Sequence, residues 1–148
     1  MLQVRKAIKT DVESIHNLIK ELAIFEKAPN EVSNTVEIML EDGFGNAPIY
    51  NAFVAELNGV IIGAAITYYR YSTWKGKCLY LEDLIVTEKH RGIGAGKSLF
   101  DRCIEFGKEN NCKKMNWQVL DWNTPAIDFY KKYNADLDNE WINGTVEL

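Results

Sequence analysis

The sequence predicts a mixed α/β (α+β) fold, and three observations carry that prediction. Asn58-Gly59, the strongest short hairpin signal, separates two runs rich in β-branched and aromatic residues, Asn51 to Leu57 and Val60 to Tyr71. An apolar stripe at three- and four-residue spacing (Val12, Ile15, Leu18, Ile19, Leu22, Phe25) marks an amphipathic helix near the start. A glycine-rich turn, Arg91 to Gly96, stands between a strand pattern and a helix pattern, and another strand pattern follows. A mostly antiparallel sheet with one parallel neighbour reached by a right-handed crossover satisfies all three.

Each element has its own signal. Leu2 to Ile8 alternates apolar and polar residues as a half-buried strand does, and Thr10 or Asp11 offers an N-cap to the first helix. Pro29 blocks continuation of that helix. A shorter helix is predicted from about Thr35 to Asp42, with Gly43 to Pro48 as a loop. After the hairpin, Ser72 to Gly76 turns the chain into a third meander strand, Cys78 to Val86. A helix pattern from Gly92 to about Asn110 leads to a strand at Lys114 to Leu120. Asn123 or Thr124 caps a last helix with Pro125 in its first turn, and Asn134 ends it in a left-handed conformation. A closing strand is expected within Ala135 to Leu148, between turn signals.

With 148 residues and a hydrophobic fraction of 47%, the chain is expected to form a single domain spanning 1–148. Its 17 basic and 21 acidic residues give a net charge of −4 without long like-charge runs, which argues against a nucleic-acid partner. The N-terminus, Met1 to Lys6, has no apolar core of signal-peptide length and no apolar stretch reaches a membrane span, so no membrane partner and a cytoplasmic location are expected. Cys78, Cys103 and Cys112 are odd in number, lack CxxC spacing and have no His cluster, which disfavours both a disulfide framework and a metal site.

The most informative feature is Arg91-Gly92-Ile93-Gly94-Ala95-Gly96. Glycines at a helix start allow close backbone approach, and the unpaired N–H groups of the first turn carry the positive end of the helix dipole, an arrangement suited to phosphate. A Walker loop ends correctly at Gly96-Lys97-Ser98 but has Arg91 where its first glycine belongs. A dinucleotide fingerprint starting at Gly92 finds Lys97 where its last glycine belongs. A purely structural turn remains open, although three glycines there sacrifice about 1 kcal/mol of helix propensity each.

Arg91 to Gly96 resembles the Arg/Gln-x-x-Gly-x-Gly/Ala signature of the Gcn5-related N-acetyltransferase (GNAT) family. Leu18 to Ala23, Leu40 to Gly45, Leu79 to Asp83, Asp121 to Pro125 and Phe129 to Lys131 are similar, in order, to the spermidine/spermine and thialysine acetyltransferase group. The resemblance implies a twisted, mostly antiparallel sheet of about six to seven strands with about four helices, in which two central parallel strands splay apart. It also implies acetyl-CoA as donor and a homodimer. Leu84 and Val86 would present backbone groups to the pantetheine arm, and Arg91, Gly92, Ile93, Gly94, Ala95, Gly96 and Lys97 would hold the pyrophosphate. Asn123 would hydrogen-bond the cofactor.

Amide formation from a thioester requires an uncharged amine, whereas an alkyl amine with pKa near ~10 is protonated at neutral pH. By the resemblance Glu82 accepts that proton and Tyr130 donates one to the departing thiolate. Read alone, Glu82 is an exposed strand-edge charge and Tyr130 a packing aromatic. Glu82 and Asp83 are adjacent, so they face opposite sides of a regular strand and share a pocket only if a bulge intervenes. The N–H of Ile85 is a candidate donor to the thioester oxygen.

A cationic acceptor calls for carboxylates and an aromatic wall, for which Glu26, Glu31, Glu82, Asp83 and Trp74 are the candidates. Ser72 precedes Trp74 where polyamine enzymes of the group carry an acid, and Lys27-Ala28-Pro29-Asn30 separates Glu26 from Glu31. Diamines, thialysine and lysine-like amino acids therefore stand beside longer polyamines as acceptors. Peptide or aminoglycoside acetylation and a non-catalytic CoA-binding module are the alternatives.

Overall fold

A computed structural model describes residues 1–148. They fall into two compact units, Met1–Gln118 and Val119–Leu148.

The first unit is built on one five-stranded sheet in the order β1-β2-β3-β4-β5. Its strands are β1 (Leu2–Lys6), β2 (Asn51–Leu57), β3 (Val60–Ser72), β4 (Gly76–Val86) and β5 (Met115–Trp117). The first four pair antiparallel and β5 runs parallel to β4. Asn58 and Gly59 both take positive φ, 51° and 82°, as the tight turn between β2 and β3 requires. Helices α1 (Val12–Phe25) and α2 (Val36–Phe44) contact each other, and α1 packs on β3 and β4. Helix α3 (Ala95–Glu109) packs on β2, β3 and β4.

Burial in β2 explains its composition. Ala52, Phe53, Val54 and Ala55 are all buried, because Ala52 and Val54 join the core with Ile15 and Leu18 of α1 while Phe53 meets Phe106 of α3 edge-on at 5.2 Å. A strand covered on both faces reads as a continuous apolar run. Cys103 lies in the same interior, where burial pushes its thiol up to about 12, the behaviour of an inert packing residue. Helix α2 continues two residues past its expected end, through Gly43, whose lack of a side chain leaves room for the Tyr50 ring. The Tyr50 hydroxyl then donates to the Met39 carbonyl at 2.6 Å.

The second unit contains α4 (Thr124–Lys131), capped as expected by Asn123, whose side-chain oxygen accepts the Ala126 N–H at 3.4 Å. Asn134 has φ of 56° beyond its end. The closing strand expected within Ala135 to Leu148 does not form, and the sheet has five strands rather than six or seven. β-branched and aromatic residues such as Trp141, Ile142 and Val146 favour a strand only where an edge pairs with them, and all three are exposed.

Candidate functional site

Two features of β4 create the site. In its pairing with β3, Ile66 stands opposite Asp83 and Thr67 opposite Leu81, so Glu82 is an extra residue with no partner. This is a β-bulge, and it changes which face each later side chain occupies. Leu79 and Ile85, six residues apart, would share a face of a regular strand. Instead Leu79 lies against Gly107 of α3, and Ile85 joins the core built on Ile15 and Leu18 of α1. Glu82 and Asp83 consequently point to the same side.

They line one cavity of about 420 Å³. Asp42, Tyr50 and Tyr68 contribute the rest of its main polar lining, and Ile19, Met39 and Ile66 its apolar wall. His16 also lines it, and its Nε2 bonds the Asn34 carbonyl at 2.9 Å. Burial, with the nearby charges of Glu82 and Glu26, raises the Asp83 carboxyl from 3.8 to about 7. Burial also raises Glu26. Burial and the Glu82 carboxylate hold the Tyr68 phenol above its ordinary 10.0. The site thus brings the half-buried Asp83 carboxyl beside the exposed Glu82 carboxylate.

Of the expected acceptor-site residues, the structure groups Glu26, Glu82 and Asp83. Glu31 and Trp74 are not among them. Glu31 is exposed and outside the lining, although its neighbour Val32 belongs to it. Trp74 is 90% exposed in the β3–β4 turn. Six residues of extended strand separate Gly76 from Glu82, about 20 Å. Asp42, Tyr50, Tyr68 and His16 went unnoticed as pocket residues. Asp42 falls in a stretch quoted for the family likeness, but no periodicity marks any of the four as pocket-facing.

The second feature is a gap. Only Leu79, Tyr80 and Leu81 pair with β5, so β4 has no β5 partner from Glu82 onward. The Thr87 N–H donates to the Ile62 carbonyl at 2.8 Å, and antiparallel alternation then turns Ile85 toward β3 and Leu84 and Val86 toward the gap. The N–H of Ile85 therefore belongs to the β3–β4 ladder and is not a donor into the cleft. The Val86 carbonyl accepts Arg91 Nε at 3.1 Å.

The glycine turn follows directly. Helix α3 begins at Ala95, three residues later than its pattern suggests, because Gly92 and Gly94 take φ of 85° and 90°. No heavy atom lies within 4 Å of a Cβ built on either, so the turn is an open cradle. The first helical bond is Ser98 N–H to Gly94 C=O at 3.0 Å, which leaves the N–H groups of Ala95, Gly96 and Lys97 without helical acceptors. A Cβ on Gly96 would meet Val86 Cγ2 at 3.8 Å, so the cradle abuts the end of β4. Lys97 pairs its ammonium with Asp101 at 2.7 Å and offers the cradle only its backbone. In the second unit Tyr130 is buried on α4, with its ring edge-on to Phe129 at 5.4 Å. The Asn123 side-chain oxygen is occupied by the cap, leaving its amide N–H groups for any ligand.

The model of the acetyltransferase (GNAT) family matches residues 13–135. The chain belongs to the GNAT family. The thialysine N-epsilon-acetyltransferase of Bos taurus is 36% identical over 142 residues, covering 90% of this chain and 84% of that protein. The human spermidine/spermine N(1)-acetyltransferase-like protein 1 is 35% identical over 146 residues, 93% of this chain and 21% of that longer protein. The aminoglycoside N-acetyltransferase AAC(6')-Iy, solved in complex with CoA, superposes with a TM-score of 0.80 at 21% identity, over 100% of this chain and 96% of that one. This GNAT chain is an N-acetyltransferase that uses acetyl-CoA, and the unpaired end of β4 and the open cradle fit that donor. None of its helices is long and apolar enough to cross a membrane.

Proposed function

We propose that this acetyltransferase modifies the primary amine of a small cationic acceptor, a diamine or a thialysine-like amino acid, by direct attack within a ternary complex. The observation that carries the reading is the bulge at Glu82, which brings two carboxylates into one cavity beside the open edge of β4. An ammonium ion entering there meets Glu82, Asp83 and Asp42, with Tyr50 and Tyr68 as aromatic walls. A relative being a thialysine N-epsilon-acetyltransferase supports an acceptor of this size and charge.

The Glu82–Asp83 pair takes the amine proton. The raised proton affinity of Asp83 matches a base working near neutrality. The freed nitrogen attacks the thioester carbonyl carbon; as the carbon–sulfur bond breaks, Tyr130 gives its phenolic proton to the departing thiolate and regains one from the nitrogen, which sheds its second proton to become the amide. Leu84 and Val86 offer backbone groups to the pantetheine arm, and the Ile93–Lys97 backbone grips the diphosphate. The Val86 carbonyl already accepts Arg91 Nε and keeps a second lone pair for the arm. In this reading the chain acts as a homodimer.

Release of free thiol from acetyl-CoA, measured against polyamines, diamines, thialysine, lysine and peptides, tests this reading. Turnover is expected with the short cationic amines; silence across all of them, or activity with peptides alone, overturns it.

A further inference from the structure

We propose that Glu21 is a positioning residue for the diphosphate-gripping turn, an inference that rests on the cofactor reading above. Glu21 lies on α1, the helix whose His16 and Ile19 line the acceptor cavity. Its Oε1 accepts the Thr87 hydroxyl at 2.9 Å and its Oε2 accepts the Glu88 N–H at 3.1 Å. Those are the first two residues beyond β4. One helical turn further along the same face, the Phe25 ring lies under the Arg91 guanidinium at 5.3 Å. Both ends of the connection from residue 87 to 91 are therefore held by α1.

The connection needs such a hold. Within it, His90 N–H to Thr87 C=O at 3.0 Å and Arg91 N–H to Glu88 C=O at 3.3 Å shape the turn, Thr87 N–H to Ile62 C=O at 2.8 Å and Arg91 Nε to Val86 C=O at 3.1 Å tie its ends to the sheet, and Glu21 adds the hold from the helix side. Beyond it, Gly92 and Gly94 touch nothing that would brace a side chain, so the direction of the cradle is inherited from what precedes it. A carboxylate suits two donors arriving from a hydroxyl and a backbone amide, because it presents two acceptor oxygens. Its charge alone would oppose a nearby anion, which argues that geometry is what this residue contributes.

The test compares Glu21→Ala, Glu21→Gln and Thr87→Val with Gly94→Asp as control, by calorimetric CoA binding, steady-state kinetics and cofactor-free melting. Glu21→Ala is expected to raise Kd and KM for acetyl-CoA about tenfold, with a much smaller fall in kcat at saturation. Glu21→Gln can accept from Glu88 N–H and donate to the Thr87 hydroxyl, and should recover most of the affinity. Thr87→Val should show part of the loss, and the double variant should be no worse than Glu21→Ala. If Gly94→Asp weakens binding and Glu21→Ala does not, the positioning role is overturned while the cofactor reading stands. If neither weakens it, both fall. Should Glu21→Ala not fold, Thr87→Val decides, and an unchanged Kd there overturns the proposal.

Discussion

Glu82 has no partner across β3, and the bulge it forms turns it to the same cavity as Asp83. Neighbouring residues in a regular strand diverge, so this one irregularity makes a carboxylate pair from a sequence dipeptide. Burial, with the charges of Glu82 and Glu26 crowding in, holds the Asp83 proton up to about pH 7.

That crowding sets a pH dependence. Activity should rise through about pH 7 as Asp83 ionises, and Asp83→Asn should lower kcat/KM roughly 10²-fold or more and remove that ascending limb. Glu82→Gln should lower activity and shift the limb downward, since one source of repulsion is gone. A pH–rate profile of each variant checks both; an unaltered limb in Asp83→Asn takes Asp83 out of the proton transfer.

The same group bears on stability with the opposite preference. Its folded pKa is raised, so the folded state binds the proton more tightly than the unfolded chain, and stability falls as pH rises from 3.8 to about 7. Asp83→Asn should therefore melt at higher temperature than the parent at neutral pH and show little gain below the ordinary carboxylate range. Thermal melts across pH measure this, and equal melting at pH 7 would contradict the burial of the charge.

Asp11 provides the reverse case. Arg5 bonds its carboxylate at 2.8 Å and 3.1 Å, the Ile8 N–H adds a bond at 2.8 Å, and the Arg5 pair first, then that amide, holds it below 3.8. Stability from a lowered carboxylate is present above the unfolded value and lost as pH falls through the folded one. Asp11→Ala should cost about 2 kcal/mol at neutral pH, and the difference should shrink in strong acid. Denaturant titrations at several pH values report it.

Gly94→Asp should weaken acetyl-CoA binding by placing a charge against the diphosphate and by forcing φ of 90° on a residue with a Cβ. Gly94→Ala separates the two, since it carries only the strain, about 1–2 kcal/mol. Calorimetry should rank glycine, alanine and aspartate in falling affinity; retained affinity in the aspartate variant counts against the cradle.

Tyr130→Phe removes one hydroxyl from α4 and should lower kcat by roughly 10²-fold while changing cofactor affinity little. Steady-state kinetics with acetyl-CoA binding measured separately make the comparison. Equal turnover would release Tyr130 from the role of proton donor.

Local chemistry was legible in the residues themselves. The Asn58-Gly59 turn, the α1 stripe, the Asn123 cap and the glycine cradle each depend on backbone preferences within a few positions, and those act before any tertiary contact forms. What only the folded sheet decided is how strands count against one another. The bulge at Glu82 is a mismatch between β3 and β4, and the gap beyond Leu81 is a pairing that β5 does not continue. Trp74, grouped with the glutamates by chemistry, is carried away from them by the length of β4. Asp42 and Tyr68, unmarked in the pattern, meet Glu82 because α2 and β3 fold onto the same cavity. Register and packing are sums over distant residues, so no window of the chain contains them.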